Sequence, residues 1–207
     1  MQNEIKVSVI LLAAGLSRRM GEDKLLLDYY GKPILQHSLD MMYELPVYER
    51  IIVTSNDRLE RITLPSSVRV FVNSQSECGI SRSIQLGVEV ATGSHYLFLA
   101  ADQPKLKVSD LMPLLEAADK NPDKIIHPIV DSKPCSPTLF PGVFKKDLLS
   151  LQTTLTESQN DRGGRTIRDA NKHLCIAVEP ECPENYIDID NVEDFIHLSE
   201  RKKEHDE

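Results

Sequence analysis

Runs of consecutive apolar residues mark the strands of this chain. Lys6 to Leu12 (KVSVILL), Arg50 to Ser55 (RIIVTS), Val68 to Val72 (VRVFV) and Tyr96 to Ala101 (YLFLAA) are short, rich in β-branched or aromatic residues, and apolar on nearly both faces. Strands of a parallel sheet covered by helices on both sides require this, whereas half-exposed antiparallel strands alternate. Between these runs the apolar positions recur at helical spacing. Pro33 to Tyr43 sets Ile34, Leu35, Leu39 and Met42 on one side, with Met41 beside them, and Ser81 to Ala91 does the same with Ile84, Val88 and Ala91. Pro33 suits the first position of its helix, and Ser81 or Ser83 could cap the second. The pattern continues with a helix from a Ser109 cap to Asn121-Pro122 and a strand through Ile125-Ile126. A Pro- and Ser-rich loop from Asp131 to Pro141 carries a short strand at Thr138 to Phe140. Helices follow at Val143 to Leu151 and Arg162 to Lys172, then a strand at Cys175 to Val178 and a last helix from Asn191 to Glu200.

Strands alternating with helices predict a single Rossmann-like, three-layer α/β domain over residues 1–200 with a mainly parallel sheet, and a polar tail over 201–207. In such a fold the ligand site lies at the carboxyl ends of the strands. At 207 residues, 41% apolar and 27% charged, the chain can bury the core that this fold needs. No stretch approaches the ~18 consecutive apolar residues of a membrane span. With 24 Lys and Arg against 32 Asp and Glu, the net charge of −8 argues against a nucleic-acid coat protein. The N-terminus runs into its first strand without a basic region or a small-residue cleavage site, so a cytoplasmic protein is expected, without membrane or nucleic-acid partners. Cys78, Cys135, Cys175 and Cys182 form no C-x-x-C and are expected to be reduced thiols. His37, His95, His127, His173, His197 and His205 fall at no metal-ligand spacing.

The first strand leads directly into LLAAGLSRRMGEDK, Leu11 to Lys24. Ala13, Ala14 and Gly15 leave room for backbone to approach a ligand, and loop amides there form a cradle for an anion. Arg18, Arg19 and Lys24 add cations, so that residues 1–33 carry five Lys and Arg against four Asp and Glu in an otherwise acidic chain. The same stretch also reads as a strand-to-helix turn with solvated charges. It is not a Walker A loop: five residues separate Gly15 from Gly21 where four are required, and Leu25 follows Lys24 without a hydroxyl. Nor is it the G-x-G-x-x-G of a dinucleotide site. Asp102 stands where the Tyr96 strand emerges, with Pro104 preventing its continuation. It could hold Mg²⁺ between protein and phosphates, or simply begin a turn.

These residues resemble a known family. The loop together with Gly31-Lys32-Pro33-Ile34-Leu35 is similar to the signature of the MobA-like nucleotidyltransferases, L-A-A/G-G followed by R-M-G-x-x-K and G-K/R-P-L/I-L. Ala13-Ala14-Gly15 and Lys24-Leu25-Leu26 resemble its molybdenum cofactor cytidylyltransferase branch. The segments at Gly79 to Ile84, Asp102 to Pro104, Ser136 to Phe140, Asp161 to Arg165 and Asp188 to Asp194 recur in that branch's order along nearly the whole chain. Gly164, where the branch usually has Ala, and Val192, in a commoner Thr-Pro opening, depart from it without removing a functional group.

The resemblance implies a nucleotide-diphospho-sugar transferase-like fold and CMP transfer from CTP to the terminal phosphate of a molybdopterin-type cofactor, with Mg²⁺. Leu12, Ala13 and Ala14 then contact base and sugar, and Gly15 to Gly21, with Arg18 and Arg19, covers the triphosphate. Lys24 and Arg19 bind the leaving pyrophosphate, and Asp102 carries the metal. Asn56, Ser81 and Ser83 lie along the nucleoside, the serines serving equally as helix caps. Asp190, or Asp188, completes the metal site or caps the last helix. Arg162, Gly163 and Arg165 suit the acceptor's phosphate, or open a helix with solvated arginines. A molybdenum hydroxylase is the implied client. Rival readings are a GTP-using enzyme making the guanine dinucleotide cofactor, a nucleotidyltransferase for another small acceptor, and a non-catalytic carrier of the molybdenum cofactor. The second Ala of Ala13-Ala14-Gly15 speaks against GTP, and Lys24 with Asp102 against a carrier.

Overall fold

The structure is a computed structural model that describes residues 4–15, 23–152 and 162–200, the last two of these without their side chains. In chain order the strands are β1 (Val7–Ala13), β2 (Asp28–Tyr29), β3 (Lys32–Pro33), β4 (Glu49–Thr54), β5 (Val68–Val72), β6 (His95–Ala100), β7 (Ile125–Val130), β8 (Lys133–Pro134), β9 (Thr138–Pro141) and β10 (Cys175–Val178). The helices are α1 (Ile34–Glu44), α2 (Asn56–Leu59), α3 (Ile80–Val90), α4 (Val108–Lys120), α5 (Lys145–Leu149), α6 (Gly164–Ala170) and α7 (Val192–Glu200). The main sheet runs β10-β7-β9-β6-β1-β4-β5, with β8 added to β7. β1 pairs in parallel with β4 and β6, β4 with β5, and β7 with β10. Among the described residues only β9, between β6 and β7, and the short β8 run antiparallel to their neighbours in it. This is the mainly parallel α/β architecture expected from the uninterrupted apolar runs.

Alternation along β1 divides the interior into two cores. Val7, Val9, Leu11 and Ala13 pack with Leu35 and Leu39 of α1 and Leu111 and Leu114 of α4. Ile10, on the opposite face, packs with Ile84 and Val88 of α3, Leu148 of α5 and Ile167 of α6. Each such valine, leucine or isoleucine, taken wholly out of water, contributes about 1.5–3 kcal/mol, so two helical layers are held on one sheet. α3 lies very close to β1: a Cβ built on Gly87 would stand 2.5 Å from Cγ2 of Ile10. Glycine at this turn of the helix is what admits the contact.

The structure adjusts several local expectations. β5 is not apolar on both faces. It is an edge strand, with Arg69 and Val72 exposed, and Arg69 lies over the Phe71 ring and pairs with Glu49. α1 begins at Ile34, with Pro33 just before it in β3. Neither Ser81 nor Ser83 caps α3; the helix starts at Ile80 after Gly79, and both serines are buried within it. α4 starts at Val108, one residue before Ser109, and the Asp110 carboxylate accepts the Lys107 N–H at 2.9 Å. β7 extends past Ile126 through His127 and Pro128, and its parallel pairing with β10 runs through Pro128. The Val143 and Arg162 helices are shorter than expected, beginning at Lys145 and Gly164.

Candidate active site

The carboxyl ends of β1 and β6, adjacent in the sheet, define one edge at which distant parts of the chain meet. After β1 the chain reaches a single 3₁₀ turn, Lys24–Leu26, whose second amide is held by Asp23: its Oδ1 accepts the Leu25 N–H at 3.2 Å. The turn directs Lys24 inward. Its Nζ donates to Oδ2 of Asp102 at 2.7 Å and to the Ile189 carbonyl at 2.6 Å, and stands 3.7 Å from Oδ1 of Asp190. The Ile189 N–H in turn donates to the Asp102 carbonyl at 3.0 Å, joining the segment before α7 to the end of β6.

That segment is docked from several sides. Tyr186 donates its hydroxyl to the Asp110 carbonyl at 2.7 Å, Asn185 donates to the Asp110 carboxylate at 2.9 Å, and Nε2 of buried Gln103 donates to the carbonyls of Tyr186 and Ser136. The cap of α7 is Asn191, whose Oδ1 accepts the Asp194 N–H at 2.9 Å while the Asp194 carboxylate accepts the N–H groups of Asn191 and Asp190. This reciprocal box satisfies the helix terminus without Asp188 or Asp190. Both are therefore available to the site, and the capping alternative raised by the sequence falls away.

Asp188 is the perturbed carboxylate of the group. Burial, followed by the charges of Asp102 and Asp190, pushes its pKa up to about 7, against the opposing pull of Arg165 and Lys24. Oδ1 of Asp102, Oδ1 of Asp188 and Oε1 of Gln103 are buried without a hydrogen-bond partner among the described residues. Buried oxygens seldom remain unpaired unless they serve a ligand or an ion. Among the described residues no three His, Cys, Asp or Glu side chains gather as a metal cage. Orphaned oxygens on two neighbouring carboxylates nonetheless fit a magnesium-type ion, which takes one or two carboxylates and completes its shell with water and phosphate.

Ala13 and Ala14 are buried, Leu12 is half-buried, and Gly15 is exposed, with no described atom within 4 Å of a Cβ built on it. Packing among the described residues therefore does not demand this glycine, in keeping with space kept for a ligand. Arg18, Arg19 and Gly21, like Asp161, lie outside the described residues. Asn56 is exposed on the first residue of α2, and the residue of that turn that reaches the loop is Arg58, which the sequence reading passed over. Its guanidinium donates to the carbonyls of Ala13 and Gly15 and to the Asp23 carboxylate. A lone arginine in Ser55-Asn56-Asp57-Arg58 carries no local mark of this role, because all its acceptors belong to another segment.

The remaining site candidates divide. Ser83 accepts a hydrogen bond from buried Asn73 at 3.0 Å at the end of β5, and Ser81 is buried beside it on α3. Arg165 is exposed, and its charge acts on Asp188 to lower that carboxyl's pKa. Arg162 is engaged by Asp169, which also binds buried Arg168 at 3.0 Å. Gly163 has a packing reason of its own: its φ is +51°, and a Cβ there would stand 2.9 Å from Cγ2 of Ile80. All four cysteines are free thiols, and burial, then the charge of Asp188, pushes the half-buried Cys135 up to about 11, which leaves it protonated and unreactive.

A lysine and carboxylates at the strand ends, after a small-residue loop, are what a nucleoside triphosphate site requires. Residues 9–174 match the MobA-like NTP transferase domain. The chain belongs to this family.

Relatives of this MobA-like NTP transferase include the probable molybdenum cofactor guanylyltransferase of Rhodopirellula baltica, 29% identical over 176 residues and covering 82% of each chain. The molybdenum cofactor cytidylyltransferase of Escherichia coli is 26% identical over 210 residues, 96% of this chain and 98% of the other. In three dimensions a nucleotidyl transferase from Methanothermobacter superposes with a TM-score of 0.77 at 20% identity, covering 98% of this chain and 99% of that one. The MobA-like match includes Lys24, Arg58 and Asp102 and ends before Asp188. Among the described residues no helix is long and apolar enough to cross a membrane.

Proposed function

We propose that the chain transfers CMP from CTP to the terminal phosphate of a molybdopterin-type cofactor, releasing pyrophosphate. The observation that carries this reading is the meeting of Lys24 with Asp102 and Asp190 at the strand ends, beside buried unpaired oxygens on Asp102 and Asp188. An oxygen of the acceptor phosphate attacks the α-phosphorus in line, the bond to the β-phosphate oxygen breaks, and no protein nucleophile is needed. The chain's own work is positioning and charge neutralisation. Lys24, with Arg19 from outside the described residues, binds the leaving pyrophosphate as a point charge and a fork. Leu12, Ala13 and Ala14 line base and sugar, the loop that opens at Gly15 covers the triphosphate, with Gly15 small enough for backbone approach, and Ser81, Ser83 and Asn56 lie along the nucleoside. Arg165 and Gly163, with Arg162, receive the acceptor's phosphate. Asp102 would hold Mg²⁺, with Asp190 or Asp188 as second carboxylate, and the ion would supply positive charge to the phosphates. A molybdenum hydroxylase is the fitting client, and the cytoplasm the fitting compartment.

CTP is favoured by Ala14, where the guanylyl branch has a second glycine, and by a cytidylyltransferase relative that aligns along 96% of the chain. A second reading, GMP transfer from GTP, is favoured by the 29% identity to a probable guanylyltransferase. Pyrophosphate release measured with each triphosphate, with and without molybdopterin cofactor and Mg²⁺, decides between them. Release with CTP and acceptor alone supports the first reading, release with GTP the second, and release with neither removes both.

A further inference from the structure

Arg58 is almost wholly buried, its side chain only 4% exposed, yet it touches neither Lys24 nor Asp102 in any hydrogen bond. Its contacts fall instead on the two chain segments that flank residues 16–22. Nη1 donates to the Ala13 carbonyl and Nη2 to the Gly15 carbonyl at 2.7 Å, on the N-terminal side. Nε donates to Oδ2 of Asp23 at 2.6 Å and Nη2 to Oδ1 at 2.8 Å, on the C-terminal side. One planar guanidinium thus bridges the end of β1 to the residue that holds the Lys24 turn, since Oδ1 of Asp23 also accepts the Leu25 N–H.

We propose that Arg58 is a positioning residue for nucleotidyl transfer: by gripping the Ala13 and Gly15 carbonyls and the Asp23 carboxylate together, it sets the strand end and the Lys24 turn at a fixed spacing. Three physical points support this. A trans peptide directs its N–H opposite to its C=O, so pinning the Ala13 carbonyl turns the Ala14 N–H away from Arg58 and fixes the orientation of that amide. Thr54 adds a second donor to the same carbonyl at 3.2 Å, so this peptide plane is held twice. A buried ion pair is by itself a poor source of stability, because desolvation cancels much of its attraction, whereas a bidentate fork specifies distance and angle. The expense of burying Arg58 is thus matched by geometric definition at the place where the phosphates are to be received. A lysine in its place would keep the charge and lose the fork.

This inference rests on the nucleotidyltransferase reading, and the experiment separates the two. Full-length wild type, Arg58→Lys, Asp23→Asn and the double variant are compared in calorimetric titrations with CTP and with GTP in Mg²⁺, in steady-state pyrophosphate release with molybdopterin cofactor, and in thermal melts. Positioning by Arg58 predicts that Arg58→Lys, which keeps the charge, melts near wild type, that Asp23→Asn, which leaves a buried guanidinium without its carboxylate, melts lower but still folds, and that each binds the preferred triphosphate about tenfold more weakly and turns over about a hundredfold more slowly. The double variant loses no more than the worse single one, because both disrupt one contact. Folded single variants with wild-type affinity and turnover overturn the proposal, as do losses that simply add in the double variant. Failure of both single variants to fold assigns the bridge to stability and overturns it as well. Wild type that binds neither triphosphate overturns the nucleotidyltransferase reading first, and this inference with it.

Discussion

Lys24 and Asp102, 78 positions apart in the chain, meet at 2.7 Å because β1 and β6 are neighbours and both end at the same edge of the sheet. The lysine is the counter-charge of Asp102 and Asp190. Removing either partner should leave the cores intact, since neither side chain belongs to them. Asp102→Ala and Lys24→Ala are each expected to fold and to lose about a hundredfold or more in pyrophosphate release. Turnover near wild type in Asp102→Ala, with an unchanged circular dichroism spectrum, would sink the metal assignment.

The α7 cap couples a helix end to the site, because the Asp194 carboxylate accepts the N–H groups of both Asn191 and Asp190. Asn191→Ala should cost about 1 kcal/mol in urea denaturation with an unchanged slope. Asp194→Ala should cost a similar amount and, in addition, raise the Mg²⁺ concentration needed for half-maximal pyrophosphate release, because Asp190 loses its anchor. An unaltered Mg²⁺ requirement would show that Asp190 is held by other means.

Close packing of α3 on β1 gives a purely structural expectation. Gly87→Ala places a methyl group 2.5 Å from Cγ2 of Ile10, a branched side chain without freedom to withdraw. It should destabilise the fold by about 1–3 kcal/mol despite the better helix propensity of alanine. Combined with Ile10→Ala, the loss should be smaller than the sum of the two single variants, since one relieves the other. Strict additivity would place the clash elsewhere.

Stability on the acid side can be attributed to named groups. Burial alone would raise the Glu49 pKa, but hydrogen bonds from the Thr92 amide, the Ser8 hydroxyl, Arg69 and the Thr92 hydroxyl hold it below the usual glutamate range. A carboxyl depressed in the folded state contributes stability above its unfolded value, about 4.3, and that contribution is lost as pH falls through the folded value. His95 and His127 are pushed down chiefly by burial. Unfolded imidazole takes a proton near about pH 6.5 while the buried rings resist it, so their contribution also disappears as pH falls. Asp188 acts in the opposite sense, since with its pKa raised to about 7 the folded state takes up a proton before the unfolded chain does and gains stability as pH falls. In an Asp188→Asn background, denaturation midpoints should therefore decline in two stages, first below about pH 6.5 and again below about pH 4.3. In Glu49→Gln the second stage should be reduced, and an undiminished second stage would assign it to other carboxylates.

Much of the architecture was legible in the residues because strand and helix patterns are local. The unbroken apolar runs at Val7, Ile51 and Leu97 identify buried parallel strands, and the spacing of Ile34, Leu35, Leu39 and Met42 identifies the inner face of α1. Caps were less legible. Asn191 and Asp194 form the last cap where Asp188 and Asp190 were equal candidates, and Ser81 and Ser83 are buried side chains inside α3. Serine and aspartate serve equally well as caps, turns or site groups, and only their surroundings distinguish these uses.

What the sequence by itself determined was the alternation of strands and helices, the loop after β1 with its resemblance to the MobA-like transferases, and the candidacy of Lys24 and Asp102. The tertiary structure decided which charges meet. The order β6-β1-β4 brings Asp102 beside Lys24 and sets α2 next to the end of β1, so that Arg58 reaches Ala13, Gly15 and Asp23. It also turned Asp188 from a possible cap into a half-buried carboxylate with one buried, unpaired oxygen and its pKa raised to about 7. Periodicity records which face of an element is apolar, but a hydrogen bond between segments depends on strand order and crossover, which no local pattern encodes.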